Sequence, residues 1–351
     1  MEKTKNISNM PEKPATDIIP YRAIPMSNKN TGTMEMNLLK IAEKHNKTDA
    51  LAGGEHFIYT IKGTSFKTAK PISQGAKRLY FHLMGLFLEQ KTESNEVSFT
   101  VKDWLELTKR THATSEGNKL EEYIREIYDM SMTFSSEKMK GEYHILQSMR
   151  YDKKSKTFYL KFSDDTKELF SIFGKNKGSG LYKIPEMLFS INNQRYPYAF
   201  SLCTYIYYMK RVNAGKGTEN RRHEDIHSMK SLLEVCEGCG MPSFEHIKSA
   251  NRNYAERIFR PFAKNMNYFK DAGLFDYVLI DKDGCIYDPD YAFEFIEPSE
   301  LYKMNIRIKW IIEPDYSNLI QIRQSTEVYT KDAIKRVQRK KIRESVAKKY
   351  G

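Results

Sequence analysis

The sequence predicts an α+β protein in which one order of elements, helix, short helix, long helix and hairpin, occurs twice. Three observations predict it. Residues 251–272, NRNYAERIFRPFAKNMNYFKDA, place Tyr254, Ile258, Phe262, Met266 and Phe269 on one apolar helical face. On one side of this stretch, Ser228 caps a short helix with Met229, Leu232, Leu233 and Cys236 turned inward. On the other, residues 274–280 alternate as a strand, 281–284 form a turn and 285–287 begin a return strand. The third observation is that residues 73–162 show the same order. Helix, loop, long basic helix and hairpin is the order of a winged helix-turn-helix. The expected architecture is two tandem winged helix-turn-helix domains related by pseudo-symmetry, with a flexible N-terminal arm and a basic C-terminal helix.

Taken in chain order, residues 1–55 are polar and Pro-containing and read as the flexible arm, with Leu38, Leu39 and Ile41 clustered in one potential helix. A first domain covers 56–173. It starts with a strand at 57–61. A helix capped by Ser73 follows, in which Ala76, Leu79, Tyr80, Leu83, Met84 and Phe87 recur at helical spacing. Residues 96–100 read as a strand and 101–108 as a helix with Trp104, Leu105 and Leu107 apolar. A third helix, 118–130, turns Leu120, Ile124, Ile127 and Tyr128 inward. Strands at 141–151 and 157–162 then form a hairpin whose loop carries Lys153 and Lys154, as a wing touching phosphates would. The Gly- and Lys-rich stretch 174–180 is the expected linker. A second domain covers 181–312, with a long aromatic-rich helix at 196–212, a basic loop holding Arg221 and Arg222, and closing strands within 294–310. Residues 313–351 are a basic tail that turns helical from 325 and includes Lys340 and Lys341.

The chain has 351 residues, 40% of them apolar, enough for about two domains with sizeable cores. Its net charge of +12 and pI near 9.2 favour a polyanionic partner, nucleic acid before an anionic membrane surface. No apolar run approaches the ~20 residues of a membrane span. The first residues lack the apolar core of a signal peptide. Four cysteines in a chain this long do not make a disulfide framework. The expectation is a cytoplasmic protein.

The front of the 251–272 helix supplies the chemistry. Arg257, Arg260 and Lys264 stand at i, i+3 and i+7 and make one cationic stripe, preceded by Asn251, Arg252 and Asn253. Arg pairs bidentately with guanine and Asn with adenine in a major groove. The competing reading is an ordinary amphipathic helix with a solvated basic face. Pro261 interrupts the helix at a cost near ~3 kcal/mol, so a kink is expected there, with two separate helices as the alternative. Lys282, in the turn after the next strand, is the corresponding wing cation.

Cys236 and Cys239 form a CxxC, and His223 and His227 lie upstream; those four side chains would suffice for a tetrahedral zinc site, although the spacing is not a familiar zinc pattern. Catalytic signatures are missing: no His-x-His, no phosphate loop with GK[ST], no HExxH. The reading is therefore no enzyme and no cofactor.

The order of elements, with Arg257-Ile-Phe-Arg-Pro-Phe262 inside the second long helix, resembles the plasmid replication initiators built from two winged-helix domains. Residues 182–185 with 196–205 and residues 73–80 are similar to the entries of their second and first domains. The resemblance spans about 57–312. The long N-terminal arm and the long loop 236–249 depart from it. It implies a protein that binds repeated sites in double-stranded DNA at an origin and recruits host replication proteins, with a homodimer, held through the first domain, repressing its own gene. It also implies secondary or phosphate contacts from Asn118, Lys119 and Arg125. A transcriptional regulator of the same fold is the alternative, and a DNA-processing enzyme a third.

Overall fold

The computed structural model describes residues 20–25, 38–39, 57–61, 64–68, 72–90, 95–135, 140–164, 181–214, 225–244 and 253–314. The described chain opens with β1 (Tyr21–Pro25), β2 (Phe57–Ile61) and β3 (Thr64–Thr68), which lead into α1 (Gln74–Gln90). Ser73 caps α1 as expected, its Oγ accepting from the Ala76 N–H at 3.1 Å. The six apolar positions read from the sequence are all buried. So are Lys77, Arg78, Phe81 and His82 on the other side, because α1 is covered all round.

Next come β4 (Glu96–Thr100), α2 (Val101–Thr108) and α3 (Ala113–Tyr128). Thr100 and Asp103 form a reciprocal capping box at the start of α2. α3 starts at Ala113, ahead of the expected Asn118, and Tyr128 at its end is exposed rather than inward. After it, β5 (Ser131–Ser135) and β6 (Lys140–His144) precede β7 (Leu146–Asp152) and β8 (Thr157–Phe162). The single strand expected over 141–151 is thus two. The chain bends at Ile145, whose side chain is buried, and β6 and β7 join different sheets.

β9 (Leu181–Pro185) and a 3₁₀ turn (Glu186–Ser190) lead to α4 (Ala199–Ala214), β10 (Ile226–Ser228) and α5 (Met229–Glu237). Ser228 caps α5, accepting from the Ser231 N–H, and Met229, Leu232, Leu233 and Cys236 are buried as read. A π-helical turn (Ala255–Phe259) runs into α6 (Arg260–Asp271). The described chain closes with β11 (Phe275–Ile280), β12 (Ile286–Tyr287), α7 (Pro289–Phe295), α8 (Pro298–Leu301) and β13 (Asn305–Trp310). Of the closing strands expected within 294–310, only 305–310 is a strand. Asp288 caps α7 ahead of Pro289, and Pro298 opens α8, so prolines at first-turn positions start two short helices instead.

The duplicated order is borne out in the sheets. The first unit pairs its strands β4-β8-β7 and the second β10-β13-β11, with β12 added at the edge. In each, the strand before the two helices lies beside the last strand, the arrangement of a winged helix. The main partner of β11 is therefore β13, aligned over Phe275↔Trp310 to Ile280↔Asn305, and the expected return strand is only the two-residue β12. A further sheet, β2-β3-β5-β6, belongs to the first unit.

The flexible-arm expectation for 1–55 is corrected at two places. Tyr21–Pro25 pairs antiparallel with β9, and Leu38 and Leu39 are buried in the core. Ile24 is fully buried, so the arm is held by apolar burial as well as by the ladder. Arg22 reaches His82 Nδ1 on α1 at 2.8 Å and Glu186 at 3.5 Å, joining three elements. One continuous core cluster includes residues of both units. No helix among the described residues is long and apolar enough to cross a membrane.

Candidate nucleic-acid interface

The helix read as central in the sequence is continuous from Tyr254 to Asp271. Its Pro261 has no N–H, and its ring would crowd the carbonyl of Arg257 in a regular α-helix. The chain answers with the π turn just before it: the Arg260 N–H bonds back to the Ala255 carbonyl. The expected kink is thus a widened turn. Ile258, Phe262, Met266 and Phe269 are buried as read, and Phe259 joins them against Phe244 and Phe293. Asn265, also buried, donates to the Pro261 carbonyl at 2.7 Å and accepts from the Tyr198 N–H at 3.0 Å, fixing α6 to the segment that enters α4.

The opposite face presents Arg257, Arg260 and Lys264, all exposed. Arg260 is ion-paired with Glu256 one turn earlier. Lys264 Nζ stands 5.7 Å from the centre of the Tyr196 ring. Asn253 is exposed, and its Oδ1 accepts from the Glu256 N–H at 3.3 Å, so it serves the helix start. Asn251, Arg252, Arg221, Arg222, Lys340, Lys341 and His223 lie outside the described residues.

The equivalent helix of the first unit, α3, is different in charge. Asn118, Lys119 and Arg125 are exposed, but Lys119 pairs with Glu116 at 3.1 Å and Arg125 with Glu121 at 2.7 Å. Glu116 is buried and also takes Arg110 at 2.5 Å. Burial works to raise its pKa, but the Arg110 and Lys119 hydrogen bonds outweigh it and hold the carboxyl below its usual range. α3 carries four glutamates against two cations, so its cations are largely answered from within.

The turns differ in the same way. Between β7 and β8, Lys153, Lys154 and Lys156 are exposed, and Asp152 folds the turn by accepting from Lys154 N–H and Ser155 Oγ, both at 2.8 Å. That turn remains cationic. Lys282 is exposed but sits between Asp281 and Asp283, and Asp281 accepts from the Asp283 and Cys285 N–H groups and the Tyr287 hydroxyl. Beyond it, Asp288, Asp290, Glu294, Glu297 and Glu300 are exposed on and around α7 and α8. α7 packs through Phe293 on the buried face of the helix, against Phe259 of the π turn and Phe262 of α6.

Among the described residues, the zinc candidates His227, Cys236 and Cys239 form no metal-holding group. His227, Cys236 and Cys239 are buried, Cys239 Sγ faces the Val235 carbonyl at 3.3 Å, and His227 lies against Tyr205. No group of three His, Cys, Asp or Glu side chains able to hold a metal occurs among the described residues. Cys236 is pushed well above its ordinary pKa by burial, the state of a core thiol.

Arg195 is a cation of this face that the sequence pattern does not mark. It stands exposed in the turn before α4, its guanidinium 5.3 Å from the centre of the Tyr196 ring that Lys264 also faces. No helical period includes a turn residue, so no periodicity signal points to it.

Residues 61–183 match the family model described as initiator replication protein, WH1. No curated protein sequence matches the chain. Among solved structures, the chain is similar to the Pi initiator protein in complex with iteron DNA, at 11% identity and a TM-score of 0.44, over 84% of this chain and 98% of that one. It is also similar to domains 2 and 3 of RctB, at 11% identity and a TM-score of 0.42, over 80% of this chain and 99% of that one.

Proposed function

We propose, from the match of residues 61–183 to the model described as initiator replication protein, WH1, that this chain is a sequence-specific DNA-binding replication initiator of a plasmid or similar mobile element. It binds repeated sites in double-stranded DNA at an origin through both winged-helix units and recruits host replication proteins there. It acts without catalysis, in the cytoplasm, and a homodimer represses its own gene.

The observation that carries the reading is the union of that matched domain with a second unit of the same strand order, in which the π turn and α6 together expose Arg257, Arg260 and Lys264. Arg257 and Arg260 are assigned to base edges, where Arg meets guanine O6 and N7. Lys264, with Lys153 and Lys154 of the first wing, is assigned to phosphates, which position the protein without reading sequence. Asn118, Lys119 and Arg125 are secondary contacts, since two of the three must first leave a glutamate. The domain division at 174–180, with principal recognition in the second unit, belongs to the same proposal.

The test is origin activity. The gene and its flanking DNA are placed on a replicon that cannot otherwise replicate in the host. Autonomous replication that disappears in the Arg257→Ala, Arg260→Ala double variant supports an initiator using α6. No replication together with tight binding to the flanking DNA would favour a regulator instead.

A further inference from the structure

The cationic face does not end at α6. Arg195 and Lys264 come from different elements, yet both address the ring of Tyr196, at 5.3 and 5.7 Å. Neither is ion-paired among the described residues, whereas Arg260, one turn before Lys264, is held by Glu256. Two cations gathered on one ring repel each other, and the ring offsets that only in part.

The turn that holds Arg195 is built from below and from the side. Asn192 Oδ1 accepts from the Gln194 N–H at 2.9 Å and the Arg195 N–H at 3.2 Å, closing an Asx turn. Arg78, buried on α1, donates to the Ile191 carbonyl at 2.8 Å, to the Phe189 carbonyl at 3.2 Å and to the Asn193 side chain. Tyr196 packs on Tyr268 of α6 with ring centres 4.6 Å apart, and Asn265 holds the Tyr198 N–H. Turn and helix are therefore one rigid piece.

Arg78 adds a second, independent observation. Its hydrogen-bond acceptors are two backbone carbonyls and an amide, all neutral, so its buried charge has no carboxylate to answer it. Burial and the nearby Arg110 push its pKa down to about 10, which still leaves it cationic at neutral pH. A buried cation thus anchors the turn that carries Arg195, and that turn packs through Tyr196 on the helix that carries Lys264.

We propose that Arg195, Lys264 and Tyr196, set on the Arg78-anchored turn 192–196, form a preorganised clamp for a DNA backbone phosphate flanking the base-reading stripe of α6. This rests on the reading of α6 as the recognition helix. The clamp binds phosphate oxygens through the Arg195 fork and the Lys264 ammonium, and the Tyr196 ring keeps both from folding back. It contributes affinity and register, and no sequence preference.

The test compares the full-length wild type with Arg195→Ala and with Arg195→Lys, an exposed position whose change leaves the fold intact. Each binds a duplex from the DNA flanking its own gene and a scrambled duplex of equal composition, over a series of salt concentrations. Arg195→Ala is expected to weaken both duplexes by the same factor, about tenfold, and to flatten the slope of log K against log salt by about 0.9 for each phosphate no longer neutralised. Arg195→Lys recovers part of the slope. Wild-type affinity and slope in Arg195→Ala would overturn the clamp while leaving α6 untouched. Loss of discrimination in Arg195→Ala would overturn it too, by making Arg195 a base reader. If the wild type itself failed to discriminate, the recognition-helix reading would fall, and the salt slope on the scrambled duplex would still decide the clamp.

Discussion

Arg257 and Arg260 stand one turn apart, but they hold different things in the free protein. Arg260 is engaged by Glu256, and the proposed base contact would trade that exposed pair, worth up to about 1 kcal/mol. Replacing either arginine with alanine is expected to cost on the order of 1–3 kcal/mol of specific affinity and to relax sequence preference, with Arg257 the more costly loss. Quantitative gel-shift titrations on cognate and scrambled duplexes measure both quantities. A second residue-level expectation concerns acid. Burial lowers the His227 pKa to about 4, against a small opposing pull from Asp225, and burial with Arg22 drives His82 well below its ordinary value. The unfolded chain takes up these protons near pH 6.5, the folded chain only far lower. Stability is thus full above about pH 6.5 and falls as the pH drops, by on the order of 3 kcal/mol for His227 by pH 4. Urea unfolding at pH 7.5 and 5.0 should show a clear drop in midpoint, reduced in His227→Gln; equal midpoints would contradict the buried neutral imidazoles.

At the scale of an element, Pro261 and its π turn set how the front of the helix proposed for recognition meets the back. Pro261→Ala restores an N–H and removes the ring, so the turn is free to tighten into regular α-helix. Circular dichroism should show the fold retained. Discrimination between cognate and scrambled DNA should fall, because Arg257 then leaves from a different angle relative to Lys264. Retained discrimination would mean that the wide turn serves packing alone. In α1 the constraint is steric. A Cβ on Gly75 would lie 2.1 Å from Tyr123 Cζ, so Gly75→Ala should destabilise by about 1–3 kcal/mol through overpacking, read as a lower thermal midpoint.

For the whole molecule, the decisive feature is that two units of like topology share one core. Lys77 of α1 is fully buried and donates to the Gly238 carbonyl after α5 at 2.7 Å and to the Leu39 carbonyl at 3.3 Å. It joins the first unit, the N-terminal segment and the second unit. Lys77→Ala should cost about 2–4 kcal/mol, combining a cavity with carbonyls left short of a donor. Denaturant unfolding of the wild type should be one transition. Two separate transitions in the wild type would show that the shared core does not couple the units; two in the variant would identify Lys77 as the coupling.

Much of this molecule was legible in the sequence because local physics writes itself locally. Helical spacing gave α1, α5 and α6 with their buried residues, Ser73 and Ser228 marked their caps, and the repeated order of elements gave the tandem architecture. The stripe Arg257, Arg260, Lys264 was visible because a helix converts spacing into a face. What only the tertiary structure decided depends on partners distant in the chain. Tyr21–Pro25 is short and lies between two prolines, Pro20 and its own Pro25, and becomes a strand because β9 offers its edge. The strand over 141–151 breaks because two sheets compete for it. Arg195 becomes part of a site through Tyr196, Lys264 and Arg78, contributed by three separate segments. Periodicity records which face a side chain takes on its own element; it holds no record of what the rest of the chain brings to that face.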